Sequence, residues 1–500
     1  MRLTGDLLAG VLGSVWSALI GFAVVPLYLG YLGIEAYGLI GFFASTQALL
    51  QLLDMGLSPT INREVARYSA TGAIRESAPL LHTLTLVYFA TAAVIAVAAY
   101  LLAPYVADHW LNSKTLSRRA VEQSVALMGV VVACRWPIGL YQGVLLGGHR
   151  MRLTSGVAMV MATLTGIGAI AVLATLSPTV EAFFIWQALM ALLYASVMRM
   201  LAWRVIGRVA NVRFDVNQLK QVWRFTAGMS GVAISGVILM QLDKVVLSRL
   251  LPLDAFGRYA LAALVATALY MVLTPTFNVI YPRLSALVAR GDEHGIATLY
   301  RSGTQLLTAI LFPLAAGVAV FSREVLVLWT GNAQLSEQTA PIVSLFIIGT
   351  ALNGAMHFPY ALQLAYGRTR LPLIINLLLI VVFLPLLALL TPRFGGVGGA
   401  ASWAILNAVY LILGTWLTHR SLLQGHGLAW LARGVLLPFA ASSILMFAGG
   451  NMIHSWALAP GITLLLGTVL GGLAVLCLIA ISGELQTGVT RLFAASKPVG

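Results

Sequence analysis

The chain has 500 residues, of which 60% are hydrophobic and only 9% are charged. An ordinary soluble domain carries roughly a quarter charged residues, so this composition excludes a water-soluble enzyme, a disordered tail and a fibrous protein. The 30 basic and 16 acidic residues give a net charge of +14. In a membrane protein such an excess marks cytoplasmic loops and binds anionic lipid headgroups. Nucleic-acid binding is not expected, because no basic stretch lies outside a loop that flanks a helix.

Continuous apolar runs about 20 residues long predict helices that cross a membrane, whereas an outer-membrane barrel would show shorter, alternating strands. The sequence therefore predicts an all-α integral membrane protein with about fourteen transmembrane helices joined by short connections. In chain order the predicted helices cover residues 7–29, 36–60, 79–103, 121–146, 153–176, 180–203, 225–248, 256–281, 302–322, 341–366, 371–391, 397–418, 432–449 and 457–481.

The orientation of the chain follows from its basic residues. With the N-terminus placed in the cytoplasm, roughly three times as many Lys and Arg residues fall on cytoplasmic segments as on outer ones. Because cytoplasmic loops are enriched in these residues, both termini are predicted to lie in the cytoplasm.

A weak internal repeat relates two parts of the chain at an offset of about 219 residues. Segment 32–38 reads Leu-Gly-Ile-Glu-Ala-Tyr-Gly and matches Leu-Pro-Leu-Asp-Ala-Phe-Gly at 251–257. Arg-Met-Arg-Leu at 150–153 matches Arg-Thr-Arg-Leu at 368–371 at nearly the same offset. Six helices per repeat predict two parallel lobes around a central cavity, and such transporters work by alternating access.

The repeat also predicts the division of the chain into domains. An N-terminal six-helix lobe covers residues 1–205, and a basic interfacial linker covers 206–224. A C-terminal six-helix lobe covers residues 225–420, and two additional helices with a tail cover 421–500.

Ionisable residues at membrane depth are the first candidates for function, because each costs about 3 kcal/mol or more without a partner or a wet cavity. Arg135 is the candidate for binding a diphosphate or an acidic sugar, since a guanidinium offers fixed bidentate donors. A structural ion pair with an acid such as Asp54 is the alternative. Asp54 itself is a candidate for coupling to a cation, or it neutralises Arg63 or Arg135.

Two further charged residues, Asp243 and Lys244, are neighbours on helix 7. Successive helical positions diverge by about 100°, so these side chains are not expected to face each other. They are candidates for a cation or proton site, and local charge compensation is the alternative.

Other polar residues extend the candidate site. Asn353 and His357 occupy the repeat positions of Arg135 and Gly139, so they are expected to face Arg135 and, with Gln142, to bind substrate. Gln47 and Gln51 also lie at membrane depth, and helix–helix hydrogen bonding explains all of these residues equally well. Three arginines at predicted cytoplasmic helix ends either signal orientation or form a gate that attracts an anion: Arg63, Arg67 and Arg283.

Catalytic and cofactor motifs are absent from the sequence. There is no nucleotide-binding loop, no zinc-ligand spacing and no nucleophile elbow, which predicts that the protein is not an enzyme and holds no metal or cofactor. The energy for transport is then expected to come from an ion gradient, the membrane potential or consumption of the product outside.

Several segments resemble a known family. Segments 31–38, 53–57 (Leu-Asp-Met-Gly-Leu) and 63–67 (Arg-Glu-Val-Ala-Arg) resemble the opening of the Wzx-type polysaccharide-biosynthesis flippases. Segment 143–150, Gly-Val-Leu-Leu-Gly-Gly-His-Arg, is similar to the end of that family's fourth helix. Leu-Asp-Lys at 242–244 and Phe-Gly-Arg-Tyr at 256–259 are similar to its seventh and eighth helices. The resemblance covers roughly residues 1–420 of the chain.

The resemblance implies the multidrug/oligosaccharidyl-lipid/polysaccharide exporter fold. It also implies the substrate, an undecaprenyl-diphosphate-linked oligosaccharide repeat unit flipped across the bacterial inner membrane for O-antigen, capsule or exopolysaccharide synthesis. Membrane lipids and the polysaccharide polymerase machinery are the implied partners.

Three alternatives stay open at this stage. A cation-coupled multidrug exporter of the same fold would favour an acidic cavity. A lipid II flippase would want several cavity arginines in helices 1, 2 and 8. A polytopic oligosaccharide polymerase or ligase would need a large outer loop, and the longest outer segment, about 104–120, is short.

Overall fold

The computed structural model describes residues 2–54, 56–207, 209, 214–215, 230–425 and 427–481. The predicted linker 206–224 and the first residues of predicted helix 7, 225–229, lie almost entirely outside this part of the chain, as does the tail beyond 481. Every regular element in the described residues is helical.

The helices fall into two packing units, residues 1–257 and 258–500. The helices that begin in the first unit are α1 (Arg2–Leu50), α2 (Leu57–Ala70), α3 (Ala78–His109), α4 (Arg118–Gly147), α5 (Met151–Thr175), α6 (Val180–Ile206), α7 (Ser230–Leu250) and α8 (Leu253–Thr267). The second unit continues with α9 (Tyr270–Arg290), α10 (Glu293–Val320), α11 (Ser322–Thr330), α12 (Ala333–Ala355), α13 (His357–Ala365), α14 (Arg370–Ser421), α15 (Leu437–Ser455) and α16 (Pro460–Ile481). The predicted domain boundaries at 205, 224 and 420 stay predictions.

An all-helical membrane protein is confirmed, but the number of spans differs from the prediction. Eleven described helices are long and apolar enough to cross a membrane, or twelve if α8 and α9, bent by 42°, count as one span. The difference from fourteen arises because α1 and α14 each contain two of the predicted helices. Non-helical glycines interrupt both, Gly33 (φ 77°, ψ 175°) and Gly395 (φ 58°, ψ −136°), in conformations that a residue with a Cβ rarely adopts.

Predicted helix 2, over 36–60, is also interrupted. The second arm of α1 ends at Leu50 and is followed by a 3₁₀ turn, Gln51–Asp54. Gly56 then adopts a left-handed conformation (φ 82°) and starts α2. The break leaves Asp54 in a turn between two helices and not on a continuous helix.

Each unit has a helix that is largely enclosed by the others. In the first unit this is α4. In its most apolar stretch 56% of the residues are buried, and α1, α2, α3 and α6 pack around it. In the second unit it is the segment formed by α12 and α13, where 72% of the residues in the most apolar stretch are buried. The buried side chains of these central helices therefore meet other helices of the same unit.

The two copies of the repeat meet inside the first unit. A Cβ added to Gly38 would lie 2.5 Å from the carbonyl oxygen of Leu253, and one added to Gly257 would overlap the carbonyl oxygen of Ile34. In the repeat, Gly38 corresponds to Gly257 and Ile34 to Leu253, so the contact is symmetric about its own centre. This local symmetry supports the internal repeat found in the sequence.

The loop after α3 contacts the matching acidic residue of each copy of the repeat. The buried carboxylate of Glu35 accepts hydrogen bonds from Ser113 Oγ (2.9 Å) and from the amide (2.9 Å) and hydroxyl (2.7 Å) of Thr115. The repeat partner of Glu35 is Asp254, which pairs with Lys114 Nζ at 3.5 Å. One short loop thus satisfies both repeat acids, which explains why an acid stands at each position.

Candidate functional site

Two adjoining cavities lie within the first unit. The smaller cavity has a volume of about 290 Å³ and the larger one about 710 Å³. Both are lined by Gln47, Gln51, Arg135 and Gly139. The remaining lining residues of the smaller cavity are Asp54, Ser58, Tyr88, Val132 and Trp136. Polar and aromatic side chains of the larger cavity include Ser17, Tyr28, Tyr37, Phe43, Gln142, Thr165, Phe183, Gln187 and Tyr194.

Glycines on α4 bring the walls of the smaller cavity together. A Cβ at Gly139 would lie 3.0 Å from Ser58 Oγ, and one at Gly143 would lie 2.7 Å from the carbonyl oxygen of Ser58. Because small residues let helix backbones approach closely, α2 lies directly against α4 here. The Asp54 turn is therefore held beside the helix that carries Arg135.

Arg135 lies in the wall between the two cavities and has no acidic partner in the described part of the chain. Its guanidinium donates to Gln47 Oε1 (3.0 Å) and Gln187 Oε1 (2.7 Å), and it lies 5.6 Å from the centre of the Phe43 ring. The structural ion pair with Asp54, one of the two interpretations of Arg135, is not formed. Two neutral amide oxygens orient the guanidinium and leave its charge without a carboxylate.

Asp54 is held by hydroxyl groups and a backbone amide. Ser58 donates to it through Oγ (2.9 Å) and through its amide (3.3 Å), and the Tyr88 hydroxyl donates to the same carboxylate. The predicted neutralisation by Arg63 or Arg135 is not seen, since Arg63 bonds Glu64 at 2.7 Å. In the described residues that line the two cavities, Asp54 is the only acid.

Asp243 and Lys244 contact each other, so the expectation that they would not is wrong. Lys244 Nζ lies 3.1 Å from Asp243 Oδ1 and donates to the carbonyl oxygen of Met240 at 3.0 Å. The flexible lysine stem folds back along α7, which overcomes the divergence of adjacent Cβ directions. Asp243 is fully buried, and neither side chain lines the two cavities. This geometry favours local charge compensation.

The arginines proposed as a gate lie at the surface of their units. Arg63 and Arg67 both pair with Glu64, at 2.7 and 2.9 Å, and their side chains are mostly exposed. Arg283, on α9, is exposed as well. Their role at a cytoplasmic gate stays a prediction.

In the second unit Asn353 and His357 contact different residues. Asn353 donates to Asn407 Oδ1 at 2.8 Å, and Asn407 in turn donates to the carbonyl oxygen of Trp403. His357 packs edge-on against Phe277 with ring centres 6.1 Å apart. The prediction that both residues face Arg135 remains a prediction.

The sequence identified five polar or charged candidates at membrane depth, and the structure puts all five on the cavity walls: Arg135, Asp54, Gln142, Gln47 and Gln51. It missed Gln187, Ser58 and Tyr88. For Gln187 the available signal was an amide in the middle of an otherwise apolar helix. No group of three or more potential metal ligands occurs in the residues that the structure describes.

The fold of the chain is shared with solved transporters. It matches the structure titled "Lipid II flippase MurJ, inward closed conformation" with a TM-score of 0.68 at 12% identity, covering 95% of this chain and 98% of that one. It matches an inward-facing multidrug resistance MATE family transporter of the MOP superfamily with a TM-score of 0.65 at 14% identity, covering 81% and 94%. The fold is therefore that of a multi-pass MATE- and MurJ-like membrane transporter.

The family follows from sequence comparison. Residues 5–288 match the family described as "Polysaccharide biosynthesis protein", and the chain belongs to this family. A curated relative, the "Putative O-antigen transporter" of Shigella flexneri, is 23% identical over 421 residues, which cover 81% of this chain and 97% of the relative. The resemblance found in the sequence is confirmed: the protein is a transporter of the polysaccharide biosynthesis family and not an enzyme, which removes the polymerase or ligase alternative.

Proposed function

We propose that this transporter moves an undecaprenyl-diphosphate-linked oligosaccharide repeat unit across the bacterial inner membrane by alternating access. The product would serve O-antigen, capsule or exopolysaccharide synthesis. Arg135 binds the diphosphate from the wall of the first unit's cavities. This proposal rests on one observation: the guanidinium is oriented by Gln47 and Gln187 and meets no carboxylate in the described residues.

An anionic substrate explains why such an arrangement is kept. A charge at membrane depth is costly unless something compensates for it, and two amide oxygens do so only in part. A diphosphate supplies the missing negative charge and accepts bidentate hydrogen bonds from the guanidinium. Gln142, on the wall of the larger cavity, is a donor and acceptor suited to the same substrate.

The internal repeat supports fourteen membrane crossings in two parallel lobes, and the distribution of Lys and Arg supports cytoplasmic termini. Gly33 corresponds to Pro252, in the connection between α7 and α8, and Gly395 corresponds to Ser177, between α5 and α6. Where one repeat has two separate helices, the other has a long helix broken at glycine. An unbroken helix of 49 residues would measure about 74 Å, more than twice the hydrocarbon thickness of a bilayer.

A cation-coupled multidrug exporter is the second candidate, and one observation favours it. The carboxylate of Asp54 lines the smaller cavity, where a cationic drug would find an opposite charge. Arg135 lines both cavities and Asp54 lines only the smaller one, so the charge of the larger cavity fits the diphosphate-linked substrate better.

A deletion strain tests the proposed function. Without the gene, surface polysaccharide should disappear and undecaprenyl-diphosphate-linked oligosaccharide should accumulate, as measured by mass spectrometry of lipid extracts. The wild-type gene on a plasmid should reverse both changes. A deletion strain with normal polymer and an unchanged lipid-linked pool, but with increased sensitivity to cationic drugs, would instead support the exporter.

Changing Asp54 to asparagine tests the coupling role of this residue. Asparagine keeps an oxygen that accepts hydrogen bonds from Ser58 and Tyr88, so the turn should persist while the charge is lost. In proteoliposomes we expect translocation by D54N to lose its dependence on an imposed proton or sodium gradient. The matched control is Glu76→Gln, because Glu76 is exposed and lies outside both cavities. An unchanged gradient dependence in D54N would assign Asp54 a structural role.

A further inference from the structure

One flank of α9 carries aromatic and polar side chains. At 100° per residue, Tyr270, Thr274, Phe277, Asn278, Tyr281 and Ser285 share a sector of about 100° on this helix. The next sector is apolar and contains Met271, Pro275, Val279 and Pro282. The buried residues Leu273, Ile280 and Leu284 lie on the other side and anchor α9 in the second unit.

The polar flank is unsuited to hydrocarbon. Thr274 and Asn278 are exposed, although α9 belongs to a segment long and apolar enough to span a membrane. Polar side chains at membrane depth face protein or a water-filled space because lipid offers them no hydrogen bonds. The apolar sector, with Met271 44% and Val279 50% exposed, has no such requirement. We therefore expect the polar flank to face water and substrate.

Two rings of this flank, Phe277 and Tyr281, form a stacked group with Tyr360 of α13. We call this group the aromatic shelf. Phe277 stacks on Tyr281 with centres 5.7 Å apart and planes 10° apart. It also stacks on Tyr360 of α13 with centres 5.7 Å apart and planes 24° apart. All three rings are half-buried, so helix packing fixes them and leaves part of each accessible.

We propose that the aromatic shelf binds the sugar rings of the transported oligosaccharide; this inference rests on the function proposed above. The C–H face of a pyranose packs on an aromatic face, whose electron-rich centre attracts the C–H hydrogens. The hydroxyl groups at the sugar's edge need donors and acceptors beside the ring. Thr274, Asn278 and His357 supply them next to the shelf.

The shelf is selective for a different chemical group from the one assigned to Arg135. Arg135 responds to the diphosphate, which every such lipid-linked intermediate carries. The aromatic shelf responds to the sugar, and it tolerates different sugars because stacking needs only an apolar ring face. If the three rings only packed α9 against α13, their removal would change stability but would not distinguish ligands with a sugar from those without one.

Binding of two probes to the protein in lipid nanodiscs tests this assignment. The probes are undecaprenyl diphosphate alone and undecaprenyl diphosphate linked to N-acetylglucosamine, and the readout is the ratio of their dissociation constants. We expect the wild type to bind the sugar-bearing probe about threefold to tenfold more tightly. Phe277→Leu, Tyr281→Leu and Tyr360→Leu should each bring the ratio towards one while keeping the affinity for the sugar-free probe.

Controls separate the two proposals. Phe394→Leu removes an aromatic ring that is 60% exposed on α14 and should leave the ratio unchanged. Gel filtration identifies any leucine variant that misfolds, and the remaining variants carry the test. Wild-type protein that binds both probes equally, or leucine variants that keep the wild-type ratio, would overturn the shelf and leave the proposed function standing. Wild-type protein that binds neither probe would overturn both.

Discussion

Replacing Arg135 by glutamine should abolish polymer export while leaving the protein folded and inserted. Glutamine keeps hydrogen-bonding capacity near Gln47 and Gln187 but removes the charge and the planar fork that fit a diphosphate. A hydrogen bond to a charged group contributes about 1.5–3 kcal/mol, so losing one weakens substrate binding by about 10-fold to 150-fold. Surface polysaccharide in a complemented deletion strain measures the effect.

The same substitution should not destabilise the protein. The guanidinium is half-buried and meets no carboxylate among the described residues, and keeping such an uncompensated charge at membrane depth costs free energy. We expect the thermal unfolding midpoint of R135Q in detergent to equal or exceed that of the wild type. Such a combination of lost activity and kept stability is typical of residues retained for function.

Two further variants sharpen the test of Arg135. Arg135→Lys keeps the charge without the bidentate geometry and should retain partial export. Arg199→Gln, on α6, removes an exposed arginine that lies over the Phe89 ring and lines neither cavity, and it should export normally. Normal polymer levels with R135Q would remove Arg135 from the substrate site.

The sequence could identify Arg135 and Asp54 because an ionisable residue in an apolar run is rare and costly. It could not identify their partners. Gln187 lies 52 residues from Arg135, and an amide in an apolar helix is equally compatible with helix packing and with ligand binding. Tyr88 is similarly ambiguous, because a tyrosine in such a helix is explained by its ring alone.

Helix breaks were the hardest features to predict. The chain has 48 glycines, so a single glycine carries little information about where a helix ends. Gly33 and Gly395 were expected between helices, and the structure has a non-helical glycine at each of these positions inside a longer helical segment. Gly56 was expected inside a helix, whereas its positive φ separates the Asp54 turn from α2. Hydropathy averages over about 20 residues and does not record the φ of one position.

The internal repeat, in contrast, could be detected in the sequence, and it has a structural consequence. Matching segments 32–38 and 251–257 indicated a duplication, and the structure brings these two segments into contact. A glycine at the same place in both copies is what such a close crossing requires. The stability of the fold should therefore depend on Gly38 and Gly257.

Gly38→Ala should lower the stability of the protein, while the matched control Gly30→Ala should not. The added Cβ at position 38 would lie 2.5 Å from the carbonyl oxygen of Leu253, which is backbone and cannot rotate away. Overpacking of this kind costs about 1–3 kcal/mol, and Gly38→Val should cost more. Gly30 lies on the same helix with no atom within 4 Å of an added Cβ, so alanine there should stabilise by up to about 1 kcal/mol.

Thermal unfolding in detergent, together with the monodisperse fraction in gel filtration, measures both variants. The double variant Gly38→Ala/Gly257→Ala gives a second test, because both substitutions push apart the same crossing. Once one alanine has separated the segments, the other should cost less than it does alone, so the two effects should not add. Equal unfolding midpoints for G38A and G30A, or additive effects in the double variant, would mean that the two segments do not cross this closely in the folded protein.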